Sequence, residues 1–225
     1  MSFRISLRFF AAAVLLSVLF IPGIASAQDD EQIQAMEWRA IGPFNGGRGT
    51  SVIGHPTDPM VFWFGHSSGG LWKTEDAGAY WLPVGEGQFN YASVGAIAHS
   101  EKDPDILYVG LGEPNMRQSV SWGDGMYKST DGGETWQHIG LESLKQIARI
   151  RIHPDNPDVV YVATPGHAFG PSEDRGVFKT TDGGKTWNKV LYKNEGTGAI
   201  DLVMSPGDPD VLFAALWEFE RKAWG

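Results

Sequence analysis

Cysteine is absent from all 225 residues, which rules out disulfide staples, thiolate metal sites and a cysteine nucleophile. Basic residues are few: 18 Lys and Arg face 27 Asp and Glu, a formal charge of −9. A field of that sign repels phosphate backbones and anionic lipid, so neither nucleic acid nor a membrane surface is expected as a partner. Beyond residue 21 no apolar run approaches the ~20 residues of a membrane-spanning helix. Also missing are a phosphate-cradling glycine loop, metal-ligand spacings, and Ser-His-Asp or Cys-His signatures. The short turns Asp103-Pro104-Asp105 and Asp155-Asn156-Pro157-Asp158 lack the ligand density of a calcium loop. The expectation is no metal and no cofactor.

What the chain has in quantity is turns and aromatics: 29 Gly, 13 Pro, 9 Trp and 12 Phe. Residues 1–27 read as an export signal. Arg4 and Arg8 precede an apolar core from Phe9 to Ile21, and Pro22 leads to the small-residue site Ala25-Ser26-Ala27. Cleavage after Ala27 removes both arginines, leaving 16 basic against 27 acidic residues. The destination is the periplasm or the extracellular space, with no membrane attachment after cleavage.

One sentence is written three times: Gly70-Leu71-Trp72-Lys73-Thr74-Glu75-Asp76-Ala77-Gly78-Ala79-Tyr80-Trp81, then Gly125 to Trp136, then Gly176 to Trp187. The frame is Gly-apolar-aromatic-Lys-[Ser/Thr]-x-Asp-x-Gly-x-x-Trp. Its first half alternates as a half-buried strand does. Asp76, Asp131 and Asp182 can accept from backbone N–H groups of the following turn. Gly78, Gly133 and Gly184 suit a tight turn, with positive φ expected at the last two, and Trp81, Trp136 and Trp187 return to cover it. These residues are read as staples rather than ligands.

A second repeat runs out of phase. Pro59, Pro104, Pro157 and Pro209 each follow Asp or Asn and open an apolar run, and another apolar stretch precedes each turn. His55 and His153 share a repeat position with Ser100 and Ser205 and are read as turn caps. The unit is therefore strand, Pro turn, strand, loop, strand, Asp turn, strand, at about fifty residues, which is a propeller blade. Trp38-Arg39-Ala40-Ile41-Gly42 matches Trp136-Gln137-His138-Ile139-Gly140 and reads as one stray outer strand. The expected fold is all-β, the N-terminal portion of a β-propeller with about three and a half four-stranded blades. The expected boundaries are a signal at 1–27, a lead-in with the stray strand at 28–50, blades at 51–92, 93–146 and 147–198, and an incomplete blade at 199–225. Such a count closes no ring without an exposed edge, so the remaining blades are expected to be missing from this piece of polypeptide.

The Ser/Thr-x-Asp-x-Gly-x-x-Trp frame resembles the Asp-box, or bacterial neuraminidase repeat, of sialidases, sortilin-type ectodomains and xyloglucanases. Trp38 to Pro43, Gly46-Gly47-Arg48, Gly69 to Lys73, Ser121 to Gly125 and Arg175 to Lys179 carry the likeness to bacterial sortilin-like propellers. The resemblance implies architecture more than activity, since function lives in grafted sites. Sialidases carry a Phe/Tyr-Arg-Ile-Pro strand, and the nearest match, Phe3-Arg4-Ile5-Ser6, falls inside the signal. Xyloglucanase-type enzymes place an Asp just ahead of a Gly-Gly-aromatic segment. Aligned on Gly69-Gly70, the positions here hold Ser67 and Ser68.

Sites are expected in the long loops between the second and third strands of each blade, Leu111 to Gly125, Pro165 to Gly176 and the tail from Trp217. The candidate ligand-binding residues are Arg48, Glu113, Arg117, Asp124, His167, Arg175, Trp217, Arg221 and Trp224; Trp122, Glu173, Asp174, Glu218 and Glu220 lie in the same loops. Catalytic residues are unassigned. The expected role is binding of peptide, protein or carbohydrate at that face and the central channel. The alternatives are a glycoside hydrolase with part of its site in missing blades, or a scaffold for an absent C-terminal domain.

Overall fold

The computed structural model describes residues 47–222, so the signal, the stray strand at 38–42 and Trp224 lie outside the described residues. Among the described residues every regular element is a strand. The first sheet holds β1 (Gly49–Gly54), β2 (Phe62–His66), β3 (Leu71–Thr74) and β4 (Leu82–Val84). The second holds β5 (Val94–His99), β6 (Leu107–Leu111), β7 (Met126–Ser129) and β8 (Gln137–His138). The third holds β9 (Arg149–His153), β10 (Asn156–Thr164), β11 (Gly176–Thr180) and β12 (Asn188–Leu191). A two-stranded sheet, β13 (Thr197–Ser205) and β14 (Asp208–Glu218), follows. Within each sheet the strands are antiparallel and lie in chain order.

The sheets stack face against face, and the core lies between them. Four residues after each turn proline, the second strand carries an aromatic: Trp63, Tyr108, Tyr161 and Phe213. Three are sealed, at 1%, 0% and 8% exposure, while Phe213 is 66% exposed. On the innermost strands, Ile97, Ile150 and Leu202 are buried, while their equivalent Val52 is 63% exposed. A blade therefore buries its aromatic on one side and its aliphatic on the other, and each end of the stack shows one unfilled half of that contact. The repeated lysine pairs across strands with this aromatic. Lys73 lies over Trp63, Lys128 over Tyr108 and Lys179 over Tyr161, each Nζ 4.9–5.6 Å from the ring centre, close enough for cation–π attraction.

The Asp turns are built alike in all three blades. The Oγ of Thr74, Ser129 and Thr180 donates to Oδ1 of Asp76, Asp131 and Asp182 at 2.7 Å. The same Oγ accepts the N–H of Gly78, Gly133 and Gly184. Each Oδ1 also accepts a backbone N–H four residues on, from Tyr80, Thr135 and Thr186, at 2.9 Å. Gly133 and Gly184 adopt φ of +93° and +94°, the left-handed region that glycine enters without strain. The turn is then tied to its own blade's Pro turn: the N–H of Ala77, Gly132 and Gly183 donates to the carbonyl of Met60, Asp105 and Asp158. The two out-of-phase repeats thus meet as hydrogen-bonded partners. The Trp187 Nε1 donates across blades to the Ile139 carbonyl at 2.8 Å.

At the Pro turns, His55 Nδ1 accepts from Thr57 and Asp58, and His153 Nδ1 from Asp155. Ser100 Oγ does the same for Lys102 and Asp103. These histidines act as turn caps.

Candidate functional site

The end of the sheets opposite the Asp turns carries the connectors that do not repeat. There the loops β6–β7 and β10–β11 meet the segments that pass from one blade to the next. Several of the sequence candidates are committed to one another. Arg48, at the start of the first innermost strand, forms a bidentate pair with Glu113 of the next blade, Nε to Oε1 at 2.8 Å and Nη2 to Oε2 at 2.6 Å. Glu113 is fully buried while the Arg48 side chain keeps 39% of its surface. The pair straps blade 1 to the long loop of blade 2, and Glu113 has no surface left to offer a ligand.

Asp124 is also buried. Its Oδ2 accepts from Asn90 Nδ2 at 2.7 Å and from the Tyr127 hydroxyl at 3.0 Å, and its carbonyl meets His138 Nε2. Burial pushes the Tyr127 hydroxyl up to about 12, so it stays a donor at neutral pH. Arg175 is fully buried. Its Nη1 donates to Gly196, and its Nη2 donates to His167 and Gly170, all through backbone carbonyls. The guanidinium carbon lies 4.3 Å from the centre of the Phe219 ring. Burial lowers the Arg175 pKa from its ordinary value. His167 contributes its carbonyl to this anchor and is itself half-buried.

Of the remaining described candidates, Arg117 and Trp217 are more open, while Arg221 is half-buried with its Nε enclosed. Arg117 is exposed in the β6–β7 loop. Trp217 is 43% exposed and stacks on Phe219, with ring centres 4.6 Å apart and planes 28° apart. Arg221 is held at its backbone, where the N–H donates to Ala168. Thus Glu113, Asp124 and Arg175 organise the loops, while Arg117 and Trp217 face outward.

Two features escaped the sequence reading. Tyr91 and Tyr192, in the connectors between blades, are 43% and 44% exposed and join Trp122 at 51%, Phe169 at 36% and Trp217 on this end. A cleft of about 610 Å³ opens between Gly170-Pro171, the connector Tyr192 to Gly196, and Glu218 to Glu220. Its connector wall follows a stereotyped Asp turn and carries no motif, so only the fold brings it beside the tail of β14. Among the described residues no group of three or more His, Asp or Glu is placed to hold a metal ion. No helix there is long and apolar enough to cross a membrane.

With the geometry in view, the likeness to known proteins is consistent. A family model described as sortilin, neurotensin receptor 3 matches residues 124–223. A xyloglucanase from Paenibacillus sp is 25% identical over 79% of this chain and 18% of its own length. In fold, the GH74 xyloglucanase of Xanthomonas campestris superposes with a TM-score of 0.60 at 19% identity, over 80% of this chain and 29% of that one. An ancestral GH74 enzyme gives 0.61 at 18% identity, over 77% and 22%. The chain is part of a β-propeller of four-stranded antiparallel sheets. It is similar to both the sortilin-type and the xyloglucanase propellers, and spans less than a quarter of the length of the Paenibacillus xyloglucanase, at 18%, and of the Acetivibrio thermocellus xyloglucanase Xgh74A, to which it is 24% identical over 88% of this chain and 24% of that one.

Proposed function

We propose that this chain supplies glycan-contacting loops of an exported Asp-box propeller whose ring is completed by further blades. The observation that carries the reading is the set of five exposed rings at the long-loop end, Tyr91, Trp122, Phe169, Tyr192 and Trp217. Flat aromatic faces bury the C–H face of a sugar while polar groups beside them take its hydroxyls. The xyloglucanase relatives support a polysaccharide over a peptide as the ligand. The need for further blades is supported by Phe213 and Val52, which expose the two halves of a contact sealed everywhere else. Export rests on the residues 1–27 pattern.

Affinity electrophoresis of the full chain in gels with and without xyloglucan tests the reading. Retardation is expected in the glycan gel, and Trp122→Ala or Trp217→Ala should weaken it roughly threefold to tenfold, the worth of one stacking aromatic. Equal mobility in both gels contradicts the proposal. A second reading, that the completed ring hydrolyses the glycan it holds, is favoured by the activity named for the relatives. Release of reducing ends by the full chain or its completed ring separates it from simple binding.

A further inference from the structure

We infer that the cleft between Gly170-Pro171, Tyr192 to Gly196 and Glu218 to Glu220 is a subsite for an uncharged sugar unit, an inference that rests on the glycan reading above. Its volume, about 610 Å³, falls within the ~300–1,000 Å³ typical of small-ligand sites.

The charge layout selects the ligand. Arg175 lines the cleft as a fully buried cation whose Nη atoms reach only backbone carbonyls. Its Nε has no protein acceptor. Among the described residues no carboxylate comes within ion-pair distance of that guanidinium, although the charge of Glu220 acts on it from the cleft wall. The walls are mainly of the opposite sign: Glu195, Glu218 and Glu220 are exposed beside a single wall cation, Lys193, and the three carboxylates accept no hydrogen bond from the described residues. A cation drawn in by the wall meets the buried guanidinium, and an anion drawn toward the guanidinium meets three carboxylates. A neutral polyol pays neither penalty. Its hydroxyls donate to the carboxylates, as charge-assisted bonds, and accept from the Asn194 amide, whose Oδ1 is already taken by the Gly196 N–H. Phe219 is contacted by both Arg175 and Trp217, which links the buried guanidinium to the Trp217 ring beside the cleft. Arg175 is therefore a positioning residue and not a ligand contact.

Titration calorimetry of the full chain with three tetrasaccharides tests this: neutral cellotetraose, anionic tetragalacturonate and cationic chitosan tetraose. Cellotetraose should bind at least tenfold more tightly than either charged sugar, and its affinity should hold between about 0.05 and 0.5 M NaCl, where ion pairing is screened away. Glu218→Gln and Glu220→Gln, both at exposed positions that leave the sheets intact, should each weaken cellotetraose about tenfold through loss of a charge-assisted bond. Wild-type affinity in the double variant overturns the cleft assignment; retained xyloglucan retardation would then leave the wider glycan reading standing. Tighter binding of either charged sugar also overturns it. Failure of the unmodified chain to bind xyloglucan removes both.

Discussion

The two ends of the same sheets are built on opposite plans. At the Asp-turn end, the Thr or Ser hydroxyl bonds to the Asp carboxylate and to the glycine N–H recur in all three turns with distances equal to within 0.1 Å. At the long-loop end no two connectors match. Buried groups such as Asp124 Oδ1 and Arg175 Nε lack protein partners there, and five aromatic rings face solvent. Repetition marks what every blade needs to fold, and its loss marks where the loops are free to differ, the end proposed for recognition.

The sharpest way to break this contrast is to cut one staple. Thr180→Val keeps the shape but removes the buried Oγ, leaving the Gly184 N–H and Asp182 N–H without their acceptor. A loss of about 2–3 kcal/mol is expected in urea denaturation, whereas Trp217→Ala should stay within about 0.5 kcal/mol and act on glycan binding alone. Comparable destabilisation by both would erase the distinction.

Acid provides a second, smaller lever. The Thr135 hydroxyl, then its N–H, hold Asp131 at about 2, and Thr186 likewise holds Asp182 well below the ordinary carboxylate range. An unfolded aspartate titrates near ~3.9. A depressed folded pKa gives stability that is full above that value and lost as pH falls toward the folded one. Stability should therefore decline from about pH 4 toward pH 2, and Asp131→Asn should flatten part of that slope. A slope unchanged by Asp131→Asn would show that the turns do not carry the acid sensitivity.

The smallest expected effect concerns the one imperfect copy. Ala77 holds φ +58° where the later copies have Gly132 and Gly183 at +70° and +73°. Ala77→Gly should gain about 0.5–1 kcal/mol by relieving left-handed strain, read as a rise in the urea midpoint. A loss instead would mean that Ala77 is supported by contacts outside its backbone.

Much of this architecture was legible because it repeats. Proline spacing marks the second strands, and the position shared by His55, Ser100 and His153 marks turn caps in the sequence itself. The Thr and Ser hydroxyls at the hub of each Asp turn were visible in the frame, yet their role depends on a chain reversal that spacing alone does not show. The long-loop end was legible only as an address. Arg48 and Glu113 looked like two candidates and form one ion pair across 65 positions. Arg175 looked like a ligand contact and lies fully buried. Tyr192 and Glu195 carry no motif, and only the packing of the β12–β13 connector beside the end of β14 gives them a cleft.

Hydrogen exchange of the full chain with and without xyloglucan tests the central claim most directly, since it reports both ends at once. Glycan should slow exchange in residues 112–125, 165–175 and 192–196 and at the end of β14, leaving the three Asp turns unchanged. Protection concentrated at the Asp turns, or none anywhere at saturating glycan, would contradict the assignment of recognition to the long-loop end.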